Sequence, residues 1–244
     1  MIRKFICILI FALFAQVNTL SAGTTGSEEL TSSSSQDTAS ECFEGVSRAM
    51  FKLNHGLDKV IFEPVAKGYR ALPVPIRKAT GNFTDNLRSL LTLSNNILQG
   101  EFRRAGNNAA RFGINTTAGI LGFFDPATKL GFEDQGKEDF GQTLGRWGSG
   151  TGCYFVLPIL GPTTTRDAVG LVGNIFLDPV YQITHNTEID NGVVGNGNYS
   201  EHNYYYYRGT SAVDFRAKNI ESFDSLEENS IDLYASLKSL YLQN

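Results

Sequence analysis

Apolar residues recur at spacings of three and four over most of the chain, which is the periodicity of an amphipathic α-helix. The first such segment begins at Phe43, and we expect it to stop before Pro64, because proline lacks an N–H and restricts the residue before it. A short helix over residues 65–72 follows, and Pro75 starts a longer one that ends at Gly100. The pattern predicts a mainly α-helical fold with little sheet.

The second half of the chain continues this pattern in shorter segments. Thr164 and Asp167 have the spacing of a capping box, so we expect a helix to open there and to end near Asp178. Residues 225–228 have the same spacing and are predicted to join the last two helices. The helices predicted in this half cover residues 101–115, 165–178, 211–223 and 231–242.

Two stretches break the helical pattern. Residues 154–157 form a short apolar run of β-favouring side chains, and we predict that they are extended. Between His185 and Tyr207 the chain is polar and rich in Gly and Asn, which predicts a loop. The four tyrosines that close this stretch, Tyr204 to Tyr207, fit a membrane interface and core packing equally well.

The start of the chain differs in composition from the rest. Two basic residues precede an apolar run over residues 5–15, and small residues end this segment, a pattern typical of a secretory signal peptide over residues 1–23. The run is too short for a membrane span, which needs about 20 residues. Residues 24–41 are dominated by Ser, Thr and acids and are predicted to be a disordered tether. Residues 42–244 are then predicted to form one helical domain.

Charge and cysteine content limit the partners and the covalent framework. Without the signal peptide the chain has 19 basic and 25 acidic residues, a net charge of −6, which argues against nucleic acid as a partner. Cys42 and Cys153 would remain in an oxidising compartment, where a disulfide can form. One pair is no framework for a chain of this size, and we interpret them as two unrelated buried thiols.

Glycine is concentrated in the centre of the chain, where twelve of the 25 glycines fall between Gly106 and Gly161. Glycine allows positive φ and close approach of segments. The residues between these glycines are strongly apolar, so the stretch is predicted to be buried or lipid-facing, because a solvated linker would be polar.

The order of motifs in this stretch resembles the MlaA/VacJ family of outer-membrane lipid-trafficking proteins. Members carry an Asn-Thr, glycines and an Asp, then a Phe-Gly, a ladder of glycines, a Leu-Pro and an Arg-Asp. The matching residues are Asn115, Thr116, Gly119, Gly122, Asp125, Phe140, Gly141, Gly145, Gly148, Gly150, Gly152, Leu157, Pro158, Gly161, Arg166 and Asp167. Flanking pieces extend the resemblance from about Phe51 to the C-terminus, and Cys153 departs from it where proline is expected.

The resemblance implies a ring-like, membrane-interfacial disc of amphipathic helices at the periplasmic face of the outer membrane. Such a disc removes phospholipids misplaced in the outer leaflet, and its implied partners are phospholipids, an outer-membrane porin trimer and a soluble periplasmic lipid carrier. The residues expected to line or gate the lipid passage are Asn115, Thr116, Gly119, Gly122, Phe123, Phe140, Gly141, Gly145, Gly148, Gly150 and Gly152. The glycine ladder is expected to move, because it exceeds what a stable helix tolerates.

Many members of this family are lipoproteins, whose signal ends in a small-residue box directly before a lipidated cysteine. Here Cys7 lies inside the apolar run, and Cys42 follows Glu41, which is unsuited to such a box. We therefore expect export with cleavage near Ala22 or Gly23 and no lipid anchor.

Three arginines, Arg103, Arg104 and Arg111, fall on the helix predicted over residues 101–115. The planar guanidinium group matches phosphate, so these residues are candidate contacts for lipid phosphates. A solvated charged face with ion pairs explains them equally well.

Catalytic and metal-binding motifs are not evident in the sequence. The three histidines lie in separate segments without metal-ligand spacing. Residues 131–137 copy most of a phosphate-binding loop, but Glu138 stands where Ser or Thr is required. We predict a protein that is not an enzyme and needs no cofactor or metal. The alternative to lipid transport is a soluble periplasmic porin-binding or envelope-spreading factor without transport activity.

Overall fold

The computed structural model of the protein describes residues 41–185 and 201–243. The predicted signal peptide, and all of the predicted tether except Glu41, lie outside the described residues and stay predictions. The described part is mainly helical with one two-stranded sheet, which confirms the predicted fold class.

The domain opens with a continuous helical segment. Helix α1 (Glu44–Leu57) runs into a π-helical turn (Asp58–Phe62), which leads directly into α2 (Glu63–Arg70). The expected stop before Pro64 is therefore wrong. Pro64 lies in the first turn of α2, where the missing N–H costs least, and the π-helical turn changes the hydrogen-bond pattern just before it.

Two longer helices, α3 (Val74–Leu98) and α4 (Phe102–Thr117), pack against each other as a hairpin. Gly100 lies between them with φ +74°, a left-handed conformation that suits glycine after a helix, so the predicted stop at Gly100 is confirmed. Near the other end, Asn86 Nδ2 of α3 donates to Thr116 Oγ1 of α4 at 3.0 Å.

Short elements follow α4. They are the helices α5 (Pro126–Lys129) and α6 (Phe140–Arg146) and the strands β1 (Tyr154–Leu157) and β2 (Gly161–Thr164). The strands are antiparallel, with Tyr154 opposite Thr164 and Leu157 opposite Gly161. The extended segment predicted over residues 154–157 is confirmed. Its partner strand was not predicted, because Gly-Pro-Thr-Thr carries no apolar alternation.

Helix α7 (Thr165–Leu177) opens at the predicted capping residue, since Thr164 Oγ1 accepts the backbone N–H of Asp167 at 3.2 Å. It ends before Asp178, as expected, and α8 (Pro179–His185) follows.

The C-terminal helices are α9 (Glu201–Lys218), α10 (Ile220–Asn229) and α11 (Leu233–Leu242). The predicted loop up to Tyr207 is wrong for residues 201–207, which are helical. Packing explains the difference, because Tyr204 meets the Tyr181 ring of α8 edge-on at 5.1 Å. The predicted joint at residues 225–228 is also wrong: it lies inside α10, while Asp232 caps α11 by accepting the N–H of Ala235 at 3.2 Å.

Two small apolar clusters hold these elements together. In the first, Tyr154 and Val156 of β1 pack with Tyr234 of α11, and the Tyr234 ring meets the Phe51 ring of α1 edge-on at 5.6 Å. In the second, Ala66 of α2 packs with Ala217 and Ile220 of the C-terminal helices.

A disulfide joins Cys42 to Cys153, whose Cα atoms are 5.4 Å apart, so the interpretation as two unrelated buried thiols is wrong. Glu41 forms a parallel β-bridge with Tyr154, and the N–H of Cys42 donates to the carbonyl of Tyr154 at 3.3 Å. These backbone contacts bring together two cysteines that are 111 residues apart in sequence.

Polar residues are buried and apolar residues are exposed to an unusual degree. In the described part of the chain, more polar or charged residues than hydrophobic ones are buried, among them Asn95 and Asn96, which are fully enclosed. Large apolar side chains such as Phe102, Ile120 and Leu130 are more than half exposed. Among the residues described, none of the helices is both long and apolar enough to cross a membrane.

Candidate functional site

A polar cavity of about 190 Å³ lies against helices α3 and α4. Its lining residues are Asn82, Asp85, Asn86, Ser89, Thr92, Asn108, Arg111, Asn115, Asp125, Asp134, Gly136 and Lys137. Asn108 is 4 % exposed, and its Nδ2 has no hydrogen-bond partner among residues 41–185 and 201–243. A buried donor of this kind favours a polar guest in the cavity.

Asn115 organises the wall formed by the end of α4 and the loop after it. Its carbonyl accepts the N–H of Gly122 at 2.8 Å, and its Oδ1 accepts the N–H of Ala127 at 3.1 Å. Its Nδ2 donates to Asp125 Oδ1 at 3.0 Å. The buried asparagine thereby fixes both ends of the loop with three hydrogen bonds.

Asp125 is held as a carboxylate by several donors. Partial burial alone would raise its pKa, but hydrogen bonds from Thr128 and Asn115, with the charge of Arg111, lower the pKa below its ordinary value. Arg111 Nη2 lies 3.0 Å from Asp125 Oδ2, and Arg111 Nη1 donates to Thr128 Oγ1 at 2.9 Å. Asp125 and Arg111 therefore form a fixed, charge-paired side of the cavity.

The glycines of this loop permit close packing. A Cβ on Gly119 would lie 2.4 Å from the carbonyl oxygens of Asn115 and Phe124. Gly122 has φ +93°, and a Cβ there would lie 2.6 Å from Cβ of Asn86. Gly122 therefore allows the loop to sit against α3, and Gly119 allows the chain to turn tightly at the end of α4.

Two apolar residues at the tip of this loop have left-handed backbone conformations. Ile120 has φ +53° and Leu121 has φ +56°, and both side chains are about 60 % exposed. The left-handed region costs non-glycine residues about 1–2 kcal/mol each. Beside them, the Phe123 ring stacks on Phe83 of α3 at 5.1 Å. The loop thus holds exposed apolar side chains in a strained conformation.

The first half of the glycine ladder is part of a tight helix crossing. Gly141 and Gly145 lie inside α6, so the expectation that the ladder exceeds what a helix tolerates is wrong for these two. A Cβ on Gly170 of α7 would lie 2.5 Å from the backbone nitrogen of Gly141. A Cβ on Gly173 would lie 2.1 Å from the Phe140 ring. These residues bring α6 and α7 into backbone contact.

The second half of the ladder has a different environment. Gly148, Gly150 and Gly152 are exposed and lie in the segment between α6 and β1. Gly148 has φ +90° and open space around its Cα, whereas a Cβ on Gly152 would approach Cβ of Thr165 at 3.0 Å. The gate candidates therefore fall into three groups, namely the loop after α4, the α6–α7 crossing and this irregular segment.

The three candidate arginines do not share one environment. Arg104 pairs with Glu101 and Glu138, both at 2.8 Å, and Arg103 is exposed. Only Arg111 lines the polar cavity, and its guanidinium group is already bound by Asp125 and Thr128.

A second cavity, of about 790 Å³, adjoins the first, since Lys137 lines both. Its cationic lining residues include Arg166 and Arg208, from α7 and α9. Sequence reasoning did not select Asn108, Lys137 or Arg208. Lys137 could have been found only as the basic end of the rejected phosphate-loop pattern.

A sequence model of the family described as MlaA lipoprotein matches residues 39–244, which is most of the chain. The chain belongs to the MlaA family. An MlaA protein of Haemophilus influenzae, named intermembrane phospholipid transport system lipoprotein MlaA, is 33% identical over 210 residues, covering 84% of this chain and 77% of the relative. An uncharacterised protein of Rickettsia prowazekii is 38% identical over 146 residues, and this alignment spans 59% of this chain and 58% of that relative.

A solved MlaA-like structure agrees with the fold. It belongs to a study called "Structural basis for maintenance of bacterial outer membrane lipid asymmetry" and superposes with a TM-score of 0.70 at 29% sequence identity. The match covers 84% of this chain and 96% of the solved chain. The family resemblance inferred from the glycine motifs is thereby confirmed.

Proposed function

We propose that the protein transports phospholipids between membranes and maintains the lipid asymmetry of a Gram-negative outer membrane. The observation that carries this function is the distribution of polarity: many polar side chains line the two adjoining cavities, while large apolar side chains are exposed on the surface. An apolar exterior suits residence in the interfacial layer of a membrane, and a polar interior gives a head group a path that avoids hydrocarbon.

The direction and the partners belong to the same proposal. The protein withdraws mislocalised phospholipids from the outer leaflet and passes them to a soluble periplasmic carrier, and a porin trimer holds it at the periplasmic face of the outer membrane. Arg208, rather than Arg104, is the proposed contact for lipid phosphate, because it lines the larger cavity, whereas Arg104 is paired with Glu101 and Glu138. Lys137 lines the same cavity, but its Nζ is paired with Asp85. The family is described as a lipoprotein, and the H. influenzae relative is named as part of a phospholipid transport system. The proposed transport makes and breaks no covalent bond.

The proposed form of the protein carries no lipid on Cys42. The disulfide with Cys153 supports this, because a sulfur in a disulfide cannot also form the thioether of a lipid anchor. Export and membrane residence are then provided by the signal peptide and the exposed apolar residues.

The irregular segment from Gly148 to Gly152 is the proposed gate of the passage. Glycine at φ +90° accepts conformations that a β-branched side chain cannot adopt, so Gly148→Val should restrict this segment. Gly131→Val is the matched control, because Gly131 lies outside this segment, has φ +89° and has open space where a side chain would be added.

The test uses a deletion strain that expresses each variant, with surface-exposed phospholipid and protein abundance measured together. We expect Gly131→Val to restore lipid asymmetry and Gly148→Val to reach normal abundance without restoring it. Normal asymmetry at normal abundance in Gly148→Val would reject the gate. A strain without the protein that keeps normal asymmetry would reject the transport function itself.

The alternative, a soluble periplasmic porin-binding or envelope-spreading factor, makes a different prediction. It would leave the membrane fraction in a high-salt wash, because salt screens electrostatic contacts but leaves apolar insertion intact.

A further inference from the structure

An apolar cavity of about 250 Å³ lies beside β2, and Pro162 lines both this cavity and the 790 Å³ cavity. Its lining residues are Phe51, Asn54, His55, Asp58, Phe62, Ile159, Gly161, Pro162, Arg216, Phe223, Glu227, Leu233 and Leu237. An apolar cavity of about 150 Å³ is already large enough to take up benzene. The cavity, at about 250 Å³, is therefore large enough for a short hydrocarbon chain.

One buried hydrogen-bond donor in this cavity lacks a partner. Arg216 is 7 % exposed, and its Nε and Nη2 bind the two carboxylate oxygens of Asp58, each at 2.9 Å. Its Nη1 has no hydrogen-bond partner within the described ranges 41–185 and 201–243. The guanidinium carbon lies 4.8 Å from the centre of the Phe223 ring, which also lines the cavity. A buried N–H beside apolar walls favours a ligand that brings an acceptor.

The surrounding charges decide which acceptor fits. Asp58 and Glu227 line the cavity with Arg216, and Glu63 Oε2 lies 3.5 Å from Arg216 Nη2. Lys59 is close to this group but is paired with Glu227 at 2.7 Å and with Glu63 at 3.1 Å. The positive charge of Arg216 is therefore already neutralised, and a ligand carboxylate would add a second negative charge to a poorly solvated site.

We propose that this cavity is a separate binding site for a single acyl chain with a neutral carbonyl group, such as the ester end of a glycerolipid chain. The hydrocarbon packs against Phe51, Phe223 and Leu237, and the ester carbonyl accepts the free N–H of Arg216. Because Pro162 lines both cavities, an acyl chain bound here would lie next to the larger polar cavity and outside the head-group path.

Isothermal titration of the full chain with methyl octanoate and with octanoate at pH 7.5 tests the site. The two probes share the chain and differ in charge, so the comparison requires no variant of the protein. We expect the neutral ester to bind at least tenfold more tightly than the carboxylate. An octanoate affinity equal to or above that of the ester would overturn the proposal. A complete lack of ester binding would overturn it as well.

Location is tested with a cavity-filling variant. Leu237→Trp places bulk in the cavity and should abolish ester binding, whereas Leu240→Trp, at an exposed position of the same helix, should retain it. Photo-crosslinking of the unmodified chain with a diazirine-tailed octanoate ester should label α1, α10 or α11 and covers the case in which Leu237→Trp does not fold. Unchanged binding in folded Leu237→Trp, or labelling confined to the polar cavity, would refute the assignment. Gly148→Val should bind the ester normally, which separates this site from the proposed gate.

Discussion

Glu63 shows how one carboxylate can connect three helical segments. Its Oε1 accepts from Lys67 at 2.6 Å, its Oε2 lies 3.1 Å from Lys59, and Arg216 of α9 lies beyond Oε2 at 3.5 Å. Hydrogen bonds from Lys67 and Lys59 lower the pKa of Glu63 to about 2, despite an opposing effect of burial. A carboxyl group with a lowered pKa stabilises the fold above its unfolded pKa and loses this effect as the pH falls through the folded pKa.

The first prediction is that Glu63→Gln lowers the free energy of unfolding by about 1–2 kcal/mol at pH 7. The difference from the unmodified chain should shrink as the pH falls from 4.5 towards 2, the interval between the ordinary and the folded pKa. Urea unfolding at pH 7, 5 and 3 measures it, with Glu133→Gln at an exposed position as the control. A difference that is the same at all three pH values would contradict the assignment.

At this scale the sequence predicted residue types better than their roles. Asn115 and Gly122 were selected from a motif, and their packing against Asp125 and Asn86 explains why asparagine and glycine occur there. Arg104 and Arg111 were selected for their charge, but only coordinates show that Glu138 and Asp125 already bind them. Pairing between distant segments has no signature in local sequence.

At the scale of elements, the helices were predictable because their apolar periodicity is local, and the errors occur where long-range contacts decide. Pro64 did not end a helix, because the π-helical turn accommodates it. Residues 201–207 of α9 are helical rather than a loop, because Tyr204 packs against Tyr181 of α8. The glycines of α6 were mistaken for flexible positions, since their close contact with α7 is invisible in the sequence.

The second prediction concerns the crossing of α6 and α7. Gly170→Ala would place Cβ 2.5 Å from the backbone of Gly141, and backbone cannot rotate away as a side chain can. We expect the free energy of unfolding to fall by about 1–3 kcal/mol. Each kcal/mol lost should lower Tm by about 2–4 °C. Gly106→Ala in α4 has no atom within 4 Å of its new Cβ and should raise Tm slightly. Equal melting temperatures for the two variants would show that the helices can separate without cost.

The third prediction concerns the connection between the start of the domain and β1. The disulfide of Cys42 and Cys153 closes a loop of about 111 residues, so Cys153→Ser should lower the free energy of unfolding by about 2–5 kcal/mol.

Intact-mass measurement tests the same disulfide in the exported protein. The protein should be lighter than its reduced form by two hydrogen atoms and should carry no diacylglycerol increment. A lipid increment on Cys42 would show that the disulfide does not form in the cell.

At the scale of the whole molecule, residues 41–185 and 201–243 bury more polar than apolar side chains and expose many large apolar ones, whereas an ordinary water-soluble domain buries mainly apolar residues. Amphipathic periodicity in the sequence cannot distinguish these arrangements, because a helix with one apolar face can turn it either way. The position of the buried asparagines relative to the cavity resolves this ambiguity.

The last prediction separates membrane residence from folding at the loop after α4. Ile120 and Leu121 are exposed and left-handed, so their conformation costs stability that the apolar side chains do not recover within the protein. Asparagine tolerates the left-handed region, and Ile120→Asn with Leu121→Asn should therefore leave the free energy of unfolding unchanged or raise it by up to about 1–2 kcal/mol. If these side chains insert into the membrane, the double variant should be released by a high-salt wash that leaves the unmodified protein bound.

Leu240→Asn, at an exposed position on α11, is the matched control and should stay in the membrane fraction. Thermal unfolding of the purified double variant establishes that it is folded, and immunoblotting of washed membranes measures its retention. A folded double variant that stays bound as firmly as the unmodified protein would show that the strained loop serves another purpose. A mutation that merely damages the fold lowers stability and membrane retention together. Only a variant that is stable but released would show that the strained loop contacts the membrane.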